Sequence, residues 1–190
     1  MNQEQIAVVS GLPRSGTSML MKMLEAGGMK VLTDNIREAD KDNPKGYYEF
    51  EKVKQIEKDK SWLEDAEGKV VKMISQLLKH LPPSYTYKVV FMRRKMEEIL
   101  ASQRKMLVRR GEATDRISDE QLAALFRKHL KRVETWLDEQ SNFEVLYVSY
   151  NEILANPIDQ ATKISQFFDG ALDVEPMVDV VDPTLYRQRK

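Results

Sequence analysis

Cysteine is absent from this 190-residue chain, which excludes disulfides, thiolate metal sites and cysteine nucleophiles. Histidine is scarce. His80 and His129 are the only two, too few for a multi-histidine metal centre, and no metal is expected. Net charge is also missing: 30 Lys+Arg balance 30 Asp+Glu. A chain-wide basic field for nucleic acid is therefore lacking, and nucleic acid is not an expected partner. No segment approaches the ~18 uninterrupted apolar residues of a membrane span. Met1-Asn2-Gln3-Glu4-Gln5 lacks the basic start and apolar core of a signal peptide. No membrane association is expected, and the expected location is cytoplasmic. Low-complexity tracts and internal repeats are lacking too. What is present is 42% hydrophobic and 32% charged residues, enough apolar content for a globular core. At this length one domain spanning residues 1–190 is expected.

The chain alternates between apolar runs and helical patterns. Ile6-Ala7-Val8-Val9-Ser10 reads as a buried strand that meets glycine, with no polar alternation to suggest a wet face. Thr17 to Ala26 reads as a helix stopped by Gly27-Gly28. Val31-Leu32 is a short strand candidate. A polar stretch from Thr33 to Gly46 carries the turn signals Asn43-Pro44 and Gly46, and its length suggests a functional excursion. Glu49 to Asp65 reads as a charged helix. Further strands are predicted at Lys69 to Met73, Tyr87 to Met92 and Phe143 to Val148. Further helices are predicted at Lys95 to Arg109, after a Ser118/Gln121 capping box, and from Ile153 to Phe168 with an interruption at Asn156-Pro157. Strands alternating with helices imply a parallel sheet covered on both faces. The expected fold is a three-layer α/β/α domain with a central parallel sheet, like that of P-loop NTPases, which binds ligands at the carboxyl ends of its strands.

The sharpest motif is Gly11-Leu12-Pro13-Arg14-Ser15-Gly16-Thr17-Ser18, between the first strand and the first helix. Glycines let the backbone turn so that its N–H groups converge on an anion. The following helix points its positive end at the same place. Arg14 adds a fork suited to phosphate or sulfate oxygens, and Thr17 and Ser18 add hydroxyls. The spacing matches the phosphate-loop pattern GxxxxGK[ST] except that Thr17 stands in the lysine position. That lysine normally reaches the β/γ-phosphates of a nucleoside triphosphate. Its loss argues against ordinary ATP or GTP hydrolysis.

Pro13-Arg14-Ser15-Gly16-Thr17 resembles the 5′-phosphosulfate loop of sulfotransferases, which is usually PKSGT or PRSGT. A second segment is similar as well: Lys88-Val89-Val90-Phe91-Met92-Arg93-Arg94 runs from strand to helix, and Ser102 follows Arg94 by eight residues. In the family, an Arg and a Ser at that spacing hold a 3′-phosphate. Lys95 and Met96 depart from the Asn/Asp and Pro/Ala that often follow the arginine. A third segment, Val148 to Pro157, is similar to the family's Y-E-D-L-x-x-N-P stretch, which is mainly architectural. The resemblance implies 3′-phosphoadenosine 5′-phosphosulfate (PAPS) as sulfate donor and a small-molecule or glycan acceptor. It implies nucleotide binding by Pro13, Arg14, Ser15, Gly16, Thr17, Ser18, Arg94 and Ser102, with Arg93 adjacent and placed to assist. Arg14 would stabilise charge on the departing phosphate. Two anion pockets, one at each end of an adenosine, are expected.

The general base is less sharply marked. Cytosolic members use a histidine in a Lys-Thr-His-Leu-Pro stretch. Lys79-His80-Leu81-Pro82 tempts that assignment, but the equivalent stretch ends a strand, and Lys72 is the better match to its lysine. Other branches use a carboxylate after the first helix, for which Asp34 and Glu49 are candidates. Glu49 is preferred: it follows Tyr47-Tyr48, and a carboxylate beside aromatic rings has the desolvated surroundings that suit a base. His129, on the apolar face of its helix, is expected to be a satisfied boundary residue. Arg104, Lys105, Arg109 and Arg110 read as a solvated face. Arg187 and Arg189 resemble the family's C-terminal basic segment, which can close over the 3′-phosphate. Two alternatives share this sequence pattern: a P-loop small-molecule or nucleotide kinase, and a non-catalytic nucleotide-binding module.

Overall fold

A computed structural model of the chain describes residues 5–34, 48–113 and 117–182. The described residues build strands β1 (Gln5–Gly11), β2 (Val31–Leu32), β3 (Val70–Lys72), β4 (Thr86–Arg93) and β5 (Phe143–Ser149). The helices are α1 (Thr17–Ala26), α2 (Leu63–Ala66), α3 (Met96–Arg109), α4 (Asp119–Asp138), α5 (Tyr150–Ala155), α6 (Pro157–Phe167) and α7 (Val174–Asp179). Two 3-10 helices cover Glu51–Gln55 and Ser75–His80. The strands form one sheet in the order β2-β3-β1-β4-β5, and every pairing is parallel.

β1 lies at the centre, and its apolar run explains why. Ile6, Ala7, Val8 and Val9 are all fully buried, because both faces of the strand are covered. The two-residue period of a strand then sorts side chains into two layers. Ala7 and Val9 of β1, Val90 and Met92 of β4, and Val148 of β5 pack against Leu20 and Leu24 of α1, Ile164 of α6 and Met177 of α7. Ile6 and Val8, Val89 and Phe91, and Val145 and Tyr147 face the other way, onto Trp62, Leu63 of α2 and Leu137 of α4. The expected three-layer α/β/α fold with a central parallel sheet is the one observed.

The predicted capping box forms. Gln121 donates its backbone N–H to Ser118 Oγ at 3.2 Å, and Ser118 returns its own N–H to Gln121 Oε1 at 3.1 Å. The interruption at Asn156-Pro157 also forms: Pro157 opens α6, where its missing N–H costs nothing.

The charged helix expected over Glu49 to Asp65 does not form. Its place is taken by the 3-10 helix Glu51–Gln55 and the single turn of α2. Two causes are visible. The Asp59 carboxylate accepts from the Ser61 N–H at 2.9 Å and from its hydroxyl at 2.7 Å, a local turn that competes with helix. Val53, Ile56 and Trp62 are all buried in the same layer, with Phe50 edge-on to Trp62 at 5.5 Å. Anchoring those groups on the sheet outweighs the helix propensity of the charged residues between them.

Candidate active site

The site is built where β1 ends. Gly11 (φ +149°) and Gly16 (φ +105°) bound the loop in conformations that side chains rarely adopt. A Cβ on Gly11 would lie 2.6 Å from the Met92 carbonyl, and one on Gly16 would lie 2.4 Å from Cδ2 of Tyr150. The loop is thus pressed against both β4 and α5. Arg14 itself has φ 70°, a left-handed conformation that costs a non-glycine residue on the order of 1 kcal/mol. The surrounding fold holds it there, as at other functional turns.

Gly16 is the N-cap of α1, so no side chain satisfies the first turn, and no acidic residue sits in it. The Ser15 N–H, expected among the anion donors, instead donates within the loop to the Leu12 carbonyl at 3.2 Å. The N–H groups of Gly16, Thr17 and Ser18 make no hydrogen bond among the described residues. They point a positive helix end at one spot, which suits an anion. The Ser15 hydroxyl is fully buried and also has no partner among the described residues. An orphaned buried hydroxyl beside open amides fits a cradle for phosphate or sulfate oxygens.

The second predicted segment meets this loop. Arg14 Nε donates to Ser102 Oγ of α3 at 3.0 Å. Arg94, between β4 and α3, donates from Nη1 to the Arg14 carbonyl at 3.1 Å and from Nε to Glu98 Oε2 at 2.8 Å. Its guanidinium carbon lies 4.2 Å from the centre of the Tyr150 ring. Burial pushes the Tyr150 phenol upward, against the pull of Arg94, so the ring is a neutral platform for that cation. Arg14, Arg94 and Ser102, read from separate segments, converge on the N-terminus of α1. Arg93 does not join them. The strand period turns it to the opposite face, where it meets Glu134 of α4 at 2.7 Å and lies 4.0 Å over the Tyr147 ring.

Lys72 arrives from β3. It shares the strand face of Val70, which looks toward α1. Its Nζ lies 3.4 Å from Ser18 Oγ and 4.0 Å from Glu49 Oε1. A cation therefore links the Glu49 carboxylate to the start of α1. Asp34 is otherwise engaged: its Oδ2 accepts from the Glu51 N–H at 2.6 Å, and its own N–H donates to the Glu49 carbonyl at 3.3 Å. Thr33 Oγ1 donates to the same carbonyl at 2.9 Å. These bonds hold Glu49 beside Lys72. Tyr48 donates its hydroxyl to the Glu25 carboxylate of α1, and burial pushes its phenol upward.

His80 closes the second 3-10 helix. Among the described residues no hydrogen bond or ion pair joins it to the loop, to Lys72 or to Glu49. His129 pairs through Nε2 with the buried Ser75 hydroxyl at 2.8 Å. Burial, with the nearby charge of Arg132, pushes its imidazole pKa down. It ties α4 to the turn after β3, as a satisfied boundary residue. Arg104 pairs with Asp119 at 2.7 Å. Asn43, Pro44, Gly46 and Tyr47, and the C-terminal Arg187 and Arg189, lie outside the described residues.

Three residues at the site were not picked out as site residues in the sequence. Glu98 could have been found as an acid four positions after Arg94 on a predicted helix. Tyr150 and Asn151 had no such signal, because their contacts cross more than 50 residues of chain.

Fold and site together define a parallel α/β protein with a phosphate-type loop that lacks the triphosphate lysine. A family model described as "Sulfotransferase domain" matches residues 4–190, and the chain belongs to that family. No curated protein is similar enough in sequence to count as a match. Among solved structures, sulfotransferase STF1 from Mycobacterium tuberculosis H37Rv shares 19% identity, covering 93% of this chain and 70% of its own, with a TM-score of 0.61. A sulfotransferase from Alicyclobacillus acidocaldarius shares 14% identity over 95% of this chain and 87% of its own, with a TM-score of 0.54. Retinol dehydratase in complex with androsterone and inactive cofactor PAP shares 15% identity over 95% of this chain and 64% of its own, with a TM-score of 0.50. At these identities the likeness is one of fold.

Proposed function

We propose that this chain transfers a sulfuryl group from PAPS to a hydroxyl or amine of a small-molecule or glycan acceptor. The observation that carries the reading is the meeting of Arg14, Arg94 and Ser102 at the open N-terminus of α1, in a loop with Thr17 where a triphosphate enzyme has lysine. When bound, PAPS supplies a sulfuryl group on a phosphate leaving group. The chain's residues divide the remaining work. The N–H groups of Gly16, Thr17 and Ser18, with the Thr17 and Ser18 hydroxyls, hold the 5′-phosphate. Arg94 and Ser102 select the 3′-phosphate, which separates this nucleotide from ATP. Arg14 offsets the negative charge that builds on the leaving oxygen, and being fixed in advance it costs no reorganisation at that moment. Glu49 takes the proton from the acceptor oxygen or nitrogen, whose lone pair forms the new bond to sulfur as the bond to the phosphate oxygen breaks. Lys72 orients the Glu49 carboxylate.

Turnover of PAPS against a panel of phenols, alcohols, amines and sugars tests this. PAP and a sulfated acceptor should appear, and Glu49→Gln should lower kcat by about 100-fold or more, the range of a lost general base. Magnesium-dependent consumption of ATP with no PAP formed would replace the reading with a kinase. Bound PAP with no transfer to any acceptor would replace it with a non-catalytic binding module.

A further inference from the structure

Glu98 is a carboxylate in the first turn of α3 whose side chain is only 2% exposed. Burying a charge is costly unless every lone pair is used. Both oxygens are used: Oε2 accepts from Arg94 Nε at 2.8 Å, and Oε1 accepts from Asn151 Nδ2 of α5 at 2.8 Å. The contacts of Arg94 among the described residues include Glu98, the Arg14 carbonyl and the Tyr150 ring. Its side chain is 8% exposed, so its guanidinium plane is fixed in one orientation.

We propose that Glu98 and Asn151 are positioning residues that hold Arg94 in its anion-binding orientation. The inference rests on the reading of Arg94 as a 3′-phosphate ligand. A free arginine must surrender rotamer freedom when it grips a phosphate, whereas one already clamped gives up little. Among the described residues, the clamp brings together the junction of β4 with α3, the start of α5 and the loop before α1. Asn151 and Tyr150 thus bring the Val148 to Pro157 segment, which has only an architectural role in the sequence resemblance, into contact with the pocket. The Arg94–Glu98 pair lies in an i,i+4 relation, and Asn151 engages the carboxylate oxygen that the arginine leaves open.

The test is calorimetry on the full chain with two probes, 3′,5′-adenosine bisphosphate and 5′-AMP. Their affinity ratio reports grip on the 3′-phosphate alone. Wild type should prefer the bisphosphate. Glu98→Gln should shrink the ratio by about tenfold, equivalent to 1.4 kcal/mol, and leave 5′-AMP affinity within about twofold. Asn151→Ala should shrink it by about threefold. Added to Arg94→Ala, Glu98→Gln should change the ratio no further, because it acts through the arginine. A ratio unchanged in Glu98→Gln, with wild type still preferring the bisphosphate, overturns the inference and leaves the function standing. The same holds if both probes weaken equally, as a merely structural role demands. Should Glu98→Gln fail to fold, Asn151→Ala carries the same comparison alone. A wild type with no preference between the probes overturns the functional reading itself, and the clamp with it.

Discussion

Arg14 carries the strongest constraint at the scale of single residues. It adopts φ 70° with no glycine's freedom, its carbonyl is held by Arg94, and its side chain reaches Ser102. Residues held in such unfavourable conformations cluster at functional sites. If its role is to meet charge that develops only as the sulfur–oxygen bond breaks, its loss must weigh on the transition state more than on the ground state. Arg14→Ala is therefore expected to lower kcat by about 100-fold or more, with the nucleotide Kd rising much less. Steady-state kinetics alongside calorimetry checks this, and an equal loss in both would reduce Arg14 to a binding residue.

At the residue scale, part of the candidate site is legible in the sequence and part is not. Gly11, Arg14, Gly16 and Thr17 are legible because the loop's chemistry is local: spacing alone brings the amides of a helix start onto one point. Arg94 and Ser102 are legible through a resemblance that keeps their spacing. Glu98, Tyr150 and Asn151 acquire their meaning only when β5 lies beside β4 in register, with Ser149 opposite Arg93. No local pattern encodes that meeting.

At the scale of elements, the strands are legible in the sequence and the irregular segments are not. An apolar run such as Ile6 to Val9 has one outcome, a strand covered on both faces. The segment from Glu49 to Asp65 had two competing outcomes. Its charged residues favour helix, but Phe50, Val53, Ile56 and Trp62 are spaced to pack on the sheet, and packing decided. Helix α4 shows the opposite case, in which cap, period and burial agree.

The contact of α4 with the turn after β3 has a pH signature. His129 pairs with the buried Ser75 hydroxyl, and burial lowers its imidazole pKa from the ordinary 6.5. Below that value the unfolded chain binds a proton that the native chain refuses. Stability from this site is therefore complete above pH 6.5, falls as pH drops through it, and levels off once the native imidazole is protonated as well. Urea midpoints at pH 7.5 and 5.5 should separate more in wild type than in His129→Gln, which keeps a hydrogen-bonding group but does not titrate. Equal separations would remove His129 as the titrating group.

At the scale of the whole molecule, topology places the chemistry. From β1 the chain crosses to β2 and β3 on one side of the sheet, then to β4 and β5 on the other. Connections that part in this way leave a crevice at the carboxyl ends of the central strands. The loop after β1, Lys72 at the end of β3 and Arg94 just past β4 all stand there. The charges at that end are held within a network: Arg94 on Glu98, Lys72 near Glu49, and Arg14 on Ser102. The anion sites expected at the two ends of an adenosine are thus mechanically joined, since Arg14 touches Ser102 with its side chain and Arg94 with its backbone.

The central claim is that this joined surface fits a doubly phosphorylated adenosine and not a triphosphate. Titrating the full chain with 3′,5′-adenosine bisphosphate and with ATP under identical salt measures that choice directly. The account predicts binding of the bisphosphate tighter than ATP by about 100-fold, or 2.7 kcal/mol, with no need of magnesium. ATP binding equal to or tighter than the bisphosphate would contradict it.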